Sequence, residues 1–222
     1  MIIAIDGPSG AGKSTLAKRL AKDLGFIYLD TGAMYRALAL KVLREGVDLA
    51  DDLKVAQLVG STAIDLQGDW RALKVILDGV DVAGEIRTPE VSQMASKASA
   101  LKAVRARMLE LQRALGQRGN VVAEGRDIGT VVFPDAQVKI FLDASAAERA
   151  RRRCAELHAA GRAVDLNETL REIEERDQRD SERELAPLRK ADDALVIDSS
   201  SATAEEVAAR ALAEIRMKQR EF

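Results

Sequence analysis

The chain has 222 residues, 47% of them hydrophobic, which is enough for one large unit with a substantial core and inserted lobes. Its 34 Lys and Arg residues against 36 Asp and Glu residues leave a formal charge of −2, so no overall basic field points to nucleic acid or to a membrane surface. Cys154 and His158 are the only residues of their kinds, which excludes an intrachain disulfide and argues against a Cys/His metal site. No leader-like segment opens the sequence, and no apolar run approaches the roughly 18 residues of a membrane span, so a cytoplasmic location is expected.

In chain order, "MIIAID" predicts a buried strand over Ile2 to Asp6. "GPSGAGKST" then fits the pattern G-x-x-x-x-G-K-[ST], with Gly7, Pro8, Ser9, Gly10, Ala11, Gly12, Lys13, Ser14 and Thr15 forming a loop whose N–H groups cradle phosphate. In that pattern the lysine reaches the β/γ oxygens and the Ser14 hydroxyl serves Mg²⁺. A helix follows, with Leu16, Ala17, Leu20, Ala21 and Leu24 on one face and Gly25 at its end, so the loop meets a helix N-terminus. "FIYLD", "NVVAEG", "VKIFLDA" and "ALVIDSS" are further strand-like runs separated by helical segments. Together they predict an α/β fold whose five-stranded parallel sheet is covered on both faces. From Ser61 to Thr88 the rhythm changes to short runs between Gly-containing turns, which predicts an inserted antiparallel β lobe. One long helix is expected from about Glu90 to Gln117, after Pro89, and a last helix from Ala204 to the C-terminus. "HAAGRAVDLN" separates two Arg-rich helices and reads equally as a short flap or as an ordinary helix connection.

A phosphate loop leaves open where the phosphate goes. A guanine-nucleotide switch would carry N-K-x-D, which is absent, and the D-x-x-G matches "DLQG" and "DVAG" read as turns. A nucleic-acid motor would carry larger basic surfaces, and 3% aromatic residues offer few base-stacking platforms. A small-molecule kinase needs a second anion site of several arginines facing the first. Three segments offer one. In "ERDQRDSER", Arg176, Asp180 and Arg183 share a helix face with Arg179 beside them, although a solvated salt-bridged face fits this segment too. In "ERARRRC", Arg149 and Arg153 share a face next to Arg152, in a run that also reads as a charged amphipathic helix. In "EGRDIGTVVFP", Arg126 and Asp127 follow a buried strand, at the end of an open α/β sheet where ligands bind.

"IAIDGPSGAGKST", "LDTGAMYRALAL", "GEIRTPEVS", "EGRDIGTVVFPDAQVKIFLDAS" and "ERDQRDSERELAPL" together resemble the bacterial cytidylate kinases, over essentially the whole chain. The resemblance implies transfer of phosphate from ATP to CMP or dCMP, with Mg²⁺ accompanying ATP. It further implies a single kinase unit, expected to be a monomer, with a core over about 1–30, 90–150 and 185–222. A nucleotide-accepting lobe would occupy about 31–89 with its β insert at 61–88, and a short lid about 154–167. By position, Thr31, Arg36 and Arg126 resemble the monophosphate site, and Ser96, Arg105 and Asp127 the surroundings of the cytosine. Arg176, Asp180 and Arg183 match the segment that meets the acceptor ribose and phosphate. Arg149, Arg152 and Arg153 fall where arginines meet the donor phosphates. Lys13, Arg126 and Arg183 are thereby the expected catalytic residues. Glu124 departs from the Asp that can precede G-R-D, and Ser14 from a Gly that can follow the lysine; the first leaves open whether Glu124 serves Mg²⁺ or supports Arg126.

Overall fold

A computed structural model describes residues 1–220. β1 (Ile2–Asp6) lies at the centre of a five-stranded sheet between β6 (Val121–Gly125) and β7 (Val138–Asp143), with β2 (Ile27–Asp30) and β8 (Leu195–Asp198) at the edges. Every pairing in this sheet is parallel. The strands read as continuous apolar runs because helices cover both faces. Ile3 and Ile5 of β1 point to one core, with Leu16 and Leu20 of α1 (Lys13–Leu24) and Ile215 of α8 (Ala204–Gln219). Ala4 points to the other core, with Met34 and Leu38 of α2 (Thr31–Glu45) and Met108.

Between β1 and α1 the chain turns through the predicted glycine loop. A Cβ on Gly7 would lie 2.0 Å from the Leu142 carbonyl oxygen of β7, so only glycine lets this loop leave the sheet here. After α2 and α3 (Asp52–Ser61), the expected antiparallel lobe is present as β3 (Ile64–Gln67), β4 (Lys74–Leu77) and β5 (Val80–Asp81). Asp78 and Gly79, both at positive φ, close the β4–β5 hairpin as a two-residue turn. The longer β3–β4 turn carries Trp70, which packs against the same core as Leu24 and Phe26, with Lys22 Nζ 5.1 Å from its ring centre.

The single helix expected over 90–117 is instead two, α4 (Pro89–Ala98) and α5 (Lys102–Gly116). Leu101 is extended, and the Ser99 hydroxyl donates back to the Ser96 carbonyl at 2.8 Å, a local bond that competes with helix continuation. The break lets α4 pack on α2 while α5 packs on α3. β6 runs into a π-helical turn, Ile128–Val132, whose Ile128 and Gly129 N–H groups both donate to Asp6 at 2.7 Å.

α6 (Ala146–Ala159) and α7 (Leu166–Glu182) leave only residues 160–165 as a connection, so much of the 154–167 segment is helix end. α7 also stops one residue short of Arg183, which caps it in extended conformation rather than sharing its helical face. Cys154 is buried against the Thr169 hydroxyl, and His158 sits on the surface by Val164. α8 opens with a Thr203–Glu206 capping box; its expected run to the C-terminus extends past the described residues.

Candidate active site

The carboxyl ends of β1, β2 and β6 open into a cleft of about 1240 Å³. Pockets for one small ligand run to roughly 1000 Å³, so this one suits two. The phosphate loop forms one end; Arg36, Ser96, Arg105 and Asp127 form the other.

At the loop end, Lys13 is buried and its Nζ donates to the Pro8 carbonyl at 2.6 Å. Burial, and then the neighbouring Arg126 charge, hold this ammonium well below the usual lysine range. The Ser14 hydroxyl donates to Glu124 at 2.9 Å, and the Tyr28 hydroxyl donates to the other oxygen of the same carboxylate. Register explains the crowding here, because Glu124 of β6 stands opposite Asp30 of β2. Burial and the Asp30 charge push the Glu124 carboxyl up. Burial and Glu124 likewise push the Tyr28 phenol up, so it stays a donor. Beneath them Asp6, raised to about 6 chiefly by burial, accepts the two N–H groups that fix the π turn.

The far end is a network of arginines on two carboxylates. Arg105 donates to Asp127 Oδ2, and Arg183 lies 3.5 Å from Asp127 Oδ1. Both arginines also reach Ser99, at its carbonyl (3.4 Å) and hydroxyl (3.5 Å), so the break between α4 and α5 supplies their anchor. Arg126 Nε donates to Asp180 Oδ2 at 2.9 Å, with Arg176 Nε 4.0 Å from the same oxygen. Burial opposes ionisation of Asp180, yet Arg126 and Arg176 hold its carboxyl below the usual range. Arg176 falls to about 10 through burial and Arg126. Arg36 rests on Asp30 at 3.2 Å, and Thr31 Oγ1 donates to the Glu124 carbonyl at 2.7 Å. Ser96 Oγ, Arg36 Nε and Arg176 Nε are buried without a hydrogen-bond partner, leaving polar capacity at this end.

The three arginines of α6 diverge. Arg152 and Arg153 line the cleft, Arg152 held by the Ser199 carbonyl at 2.5 Å and Arg153 by Glu156 at 3.4 Å. Arg149 does not line it: its guanidinium is buried behind the loop on Ser9, Ala144 and Asp177. Shared spacing identified one helix face but not what that face meets. Sequence reasoning also missed Asp6, Tyr28, Asp30, Ser99 and Asp177. The position of Asp6 and Asp30 at the ends of buried strands was a usable signal; nothing local marked Ser99 or Asp177.

A phosphate loop facing an arginine network across one cleft, at the carboxyl ends of a parallel sheet, defines a P-loop kinase. The cytidylate kinase family profile matches residues 3–217. A cytidylate kinase of Pelotomaculum thermopropionicum is 54% identical over 220 residues, covering 99% of this chain and 97% of its own. One from Carboxydothermus hydrogenoformans is 51% identical, covering 96% of each chain. A bifunctional pantoate ligase/cytidylate kinase of Synechococcus elongatus is 52% identical over 93% of this chain and 40% of its own. The fold is shared by an uncharacterized protein from Eubacterium ventriosum, at a TM-score of 0.53 and 15% identity, covering 97% of this chain and 98% of that one. The chain belongs to the cytidylate kinase family, phosphotransferases with a phosphate group as acceptor.

Proposed function

We propose that the cleft moves the γ-phosphoryl group of ATP onto CMP or dCMP, releasing ADP and CDP or dCDP. The observation that carries this reading is the opposition of two anion sites in one cavity, the loop around Lys13 and the arginines gathered by Asp127 and Asp180. ADP release, followed by a coupled assay over all the nucleoside monophosphates, tests it. Turnover with CMP and dCMP well above the other acceptors is expected.

In this reading an oxygen of the acceptor phosphate attacks the γ-phosphorus in line, and the bond from that phosphorus to the bridging β-oxygen breaks. The attacking oxygen is already ionised at neutral pH, so no general base is needed. Lys13 swings from the Pro8 carbonyl to the β/γ oxygens. Arg36, Arg126 and Arg176 take the acceptor phosphate, while Arg183 and Asp180 meet its ribose side. Arg152 and Arg153 take the donor phosphates. Asp127, held by two arginines, keeps spare acceptor capacity for the cytosine amino group, and the free Ser96 hydroxyl meets the ring edge.

The residues at the loop fit Mg²⁺ arriving with ATP. Magnesium takes few protein oxygens and keeps phosphates and water as its other ligands, and the Ser14 hydroxyl with the Glu124 carboxylate 2.9 Å away is such a set. Crowding of Glu124 by Asp30 is also the condition a cation relieves. When bound, the ion neutralises charge between the β- and γ-phosphates.

Residues 31–89 and the 154–167 segment are proposed to close over the two nucleotides and keep water from the transfer. Action as a monomer is proposed. No helix among the described residues is long and apolar enough to cross a membrane, and a cytoplasmic site of action is proposed.

A further inference from the structure

Arg149 lies outside the cleft lining, behind the phosphate loop. Its side chain is about 5% exposed, and each of its three nitrogens is committed. Nε donates to the Ala144 carbonyl at the end of β7 (2.8 Å), and one terminal nitrogen donates to the Ser9 carbonyl of the phosphate loop (3.2 Å). The other terminal nitrogen pairs with Asp177 Oδ2 at 2.6 Å. The stem presses on the loop as well, because a Cβ on Gly10 would come within 3.1 Å of Arg149 Cβ. The three contacts fall on three different nitrogens of the planar guanidinium, a spread of donors that the single ammonium of a lysine does not reproduce.

Asp177 is the informative partner. It stands on α7 directly after Arg176 and three residues before Asp180, the two α7 residues of the acceptor network. One turn of α7 therefore touches the phosphate loop through Arg149 and the acceptor end through Asp180 and Arg126. Asp177 Oδ1 is buried with no hydrogen-bond partner, so this carboxylate's place in the fold depends on the single pairing with Arg149.

We infer that Arg149 and Asp177 are positioning residues that couple the donor site to the acceptor site. A nucleotide that fixes the loop fixes the Ser9 peptide, hence Arg149, hence the turn of α7 that presents Arg176 and Asp180. By reciprocity the acceptor tightens donor binding by the same factor. The inference rests on the two-site reading of the cleft.

Calorimetry on the intact protein tests it, with CMP titrated in the absence and presence of saturating ADP, and ADP titrated alone. In the wild type, ADP is expected to tighten CMP by about fivefold or more, the lower end of measured couplings. In Asp177→Asn the factor is expected to fall to about 1–2, while each ligand alone binds within about threefold of the wild type. A residue that merely supported the fold would weaken both ligands and leave their ratio in place. A wild type without coupling, or an Asp177→Asn protein with the full factor, overturns the inference. Failure of CMP to bind the wild type at all would overturn the two-site reading instead. Should Asp177→Asn not fold, amide exchange in the wild type decides: ADP alone is expected to slow exchange in α7 around Arg176 to Asp180, and unchanged exchange there overturns the coupling.

Discussion

Arg126 Nε and Asp180 Oδ2 meet at 2.9 Å, joining the turn after β6 to α7 across the acceptor end of the cleft. The two residues are 54 apart in sequence, and Asp180 is almost fully buried, so the pair is no surface ion bridge. Removing one partner of a buried, hydrogen-bonded charge pair costs far more than removing an exposed one.

Asp180→Ala is therefore expected to lower kcat/KM for CMP by about 30-fold or more, the lower bound for stranding a buried charge. Affinity for ATP should stay within a few-fold. Steady-state kinetics with each substrate varied in turn make the distinction, and an unchanged KM for CMP would remove Asp180 from the acceptor site.

Lys13→Ala is expected to reduce kcat by about 10³-fold, the scale of losing a charge that acts at the transition state. Its present bond is to the Pro8 carbonyl, an acceptor within the loop itself, so the loss should leave the fold and CMP binding intact. Near-normal turnover in this variant would contradict the assignment of the loop.

Asp127→Asn tests base choice. Cytosine offers an exocyclic N4 donor where uracil has an O4 acceptor, and a carboxylate only accepts. The substitution brings an N–H donor to that edge and weakens the hold on Arg105 and Arg183. A large loss with CMP is expected, and the CMP over UMP preference should narrow by about tenfold or more, the value of one mispaired buried donor. The kcat/KM ratio for the two acceptors measures it; an unchanged ratio would mean another residue reads the base.

Asp6 gives a pH signature. Burial raises its carboxyl from an ordinary 3.8 to about 6, so the folded chain holds this proton more tightly than the unfolded chain does. Its contribution to stability is complete below pH 3.8 and is lost as pH rises through about 6. At about 1.4 kcal/mol per unit the loss is on the order of 3 kcal/mol. Asp6→Asn cannot titrate, so the wild-type Tm minus the variant Tm should fall between about pH 4 and 6 and be level above about 7. Thermal melts across that range check it, and a level difference throughout would place the Asp6 carboxyl at an ordinary value.

The phosphate loop was legible because its demands are local: Gly7, Gly10 and Gly12 all take positive φ, and Lys13 follows them at a fixed spacing. Likewise the Gly-containing turns between Ser61 and Thr88, of which Asp78–Gly79 is one, announced an antiparallel lobe by composition. The partners of Tyr28 and Asp6 were not legible, since Glu124 is 96 residues from Tyr28 and Ile128 is 122 from Asp6. Parallel strands bring such residues together only through crossovers. The break at Ser99 escaped notice for a different reason, because α4 and α5 each carry a sound helical period, while the Ser99 bond to the Ser96 carbonyl and the packing of α4 chiefly on α2 and α5 chiefly on α3 divide them. Arg183 was assigned to a helix face that ends one residue before it, an error of boundary rather than of place.

Trp70 is the only tryptophan in the chain, and it lies on the seam where the β3–β4 turn rests on α1. Lys22 stands 5.1 Å and Arg71 5.3 Å from its ring, so the indole sits in an asymmetric electric field set by two side chains, one from each side of the seam. Its emission is consequently a single-site optical gauge of that junction, free of contributions from other indoles. A shift in wavelength on adding CMP would report movement of the β lobe against α1 in the unlabelled protein, and a constant spectrum would place any movement elsewhere.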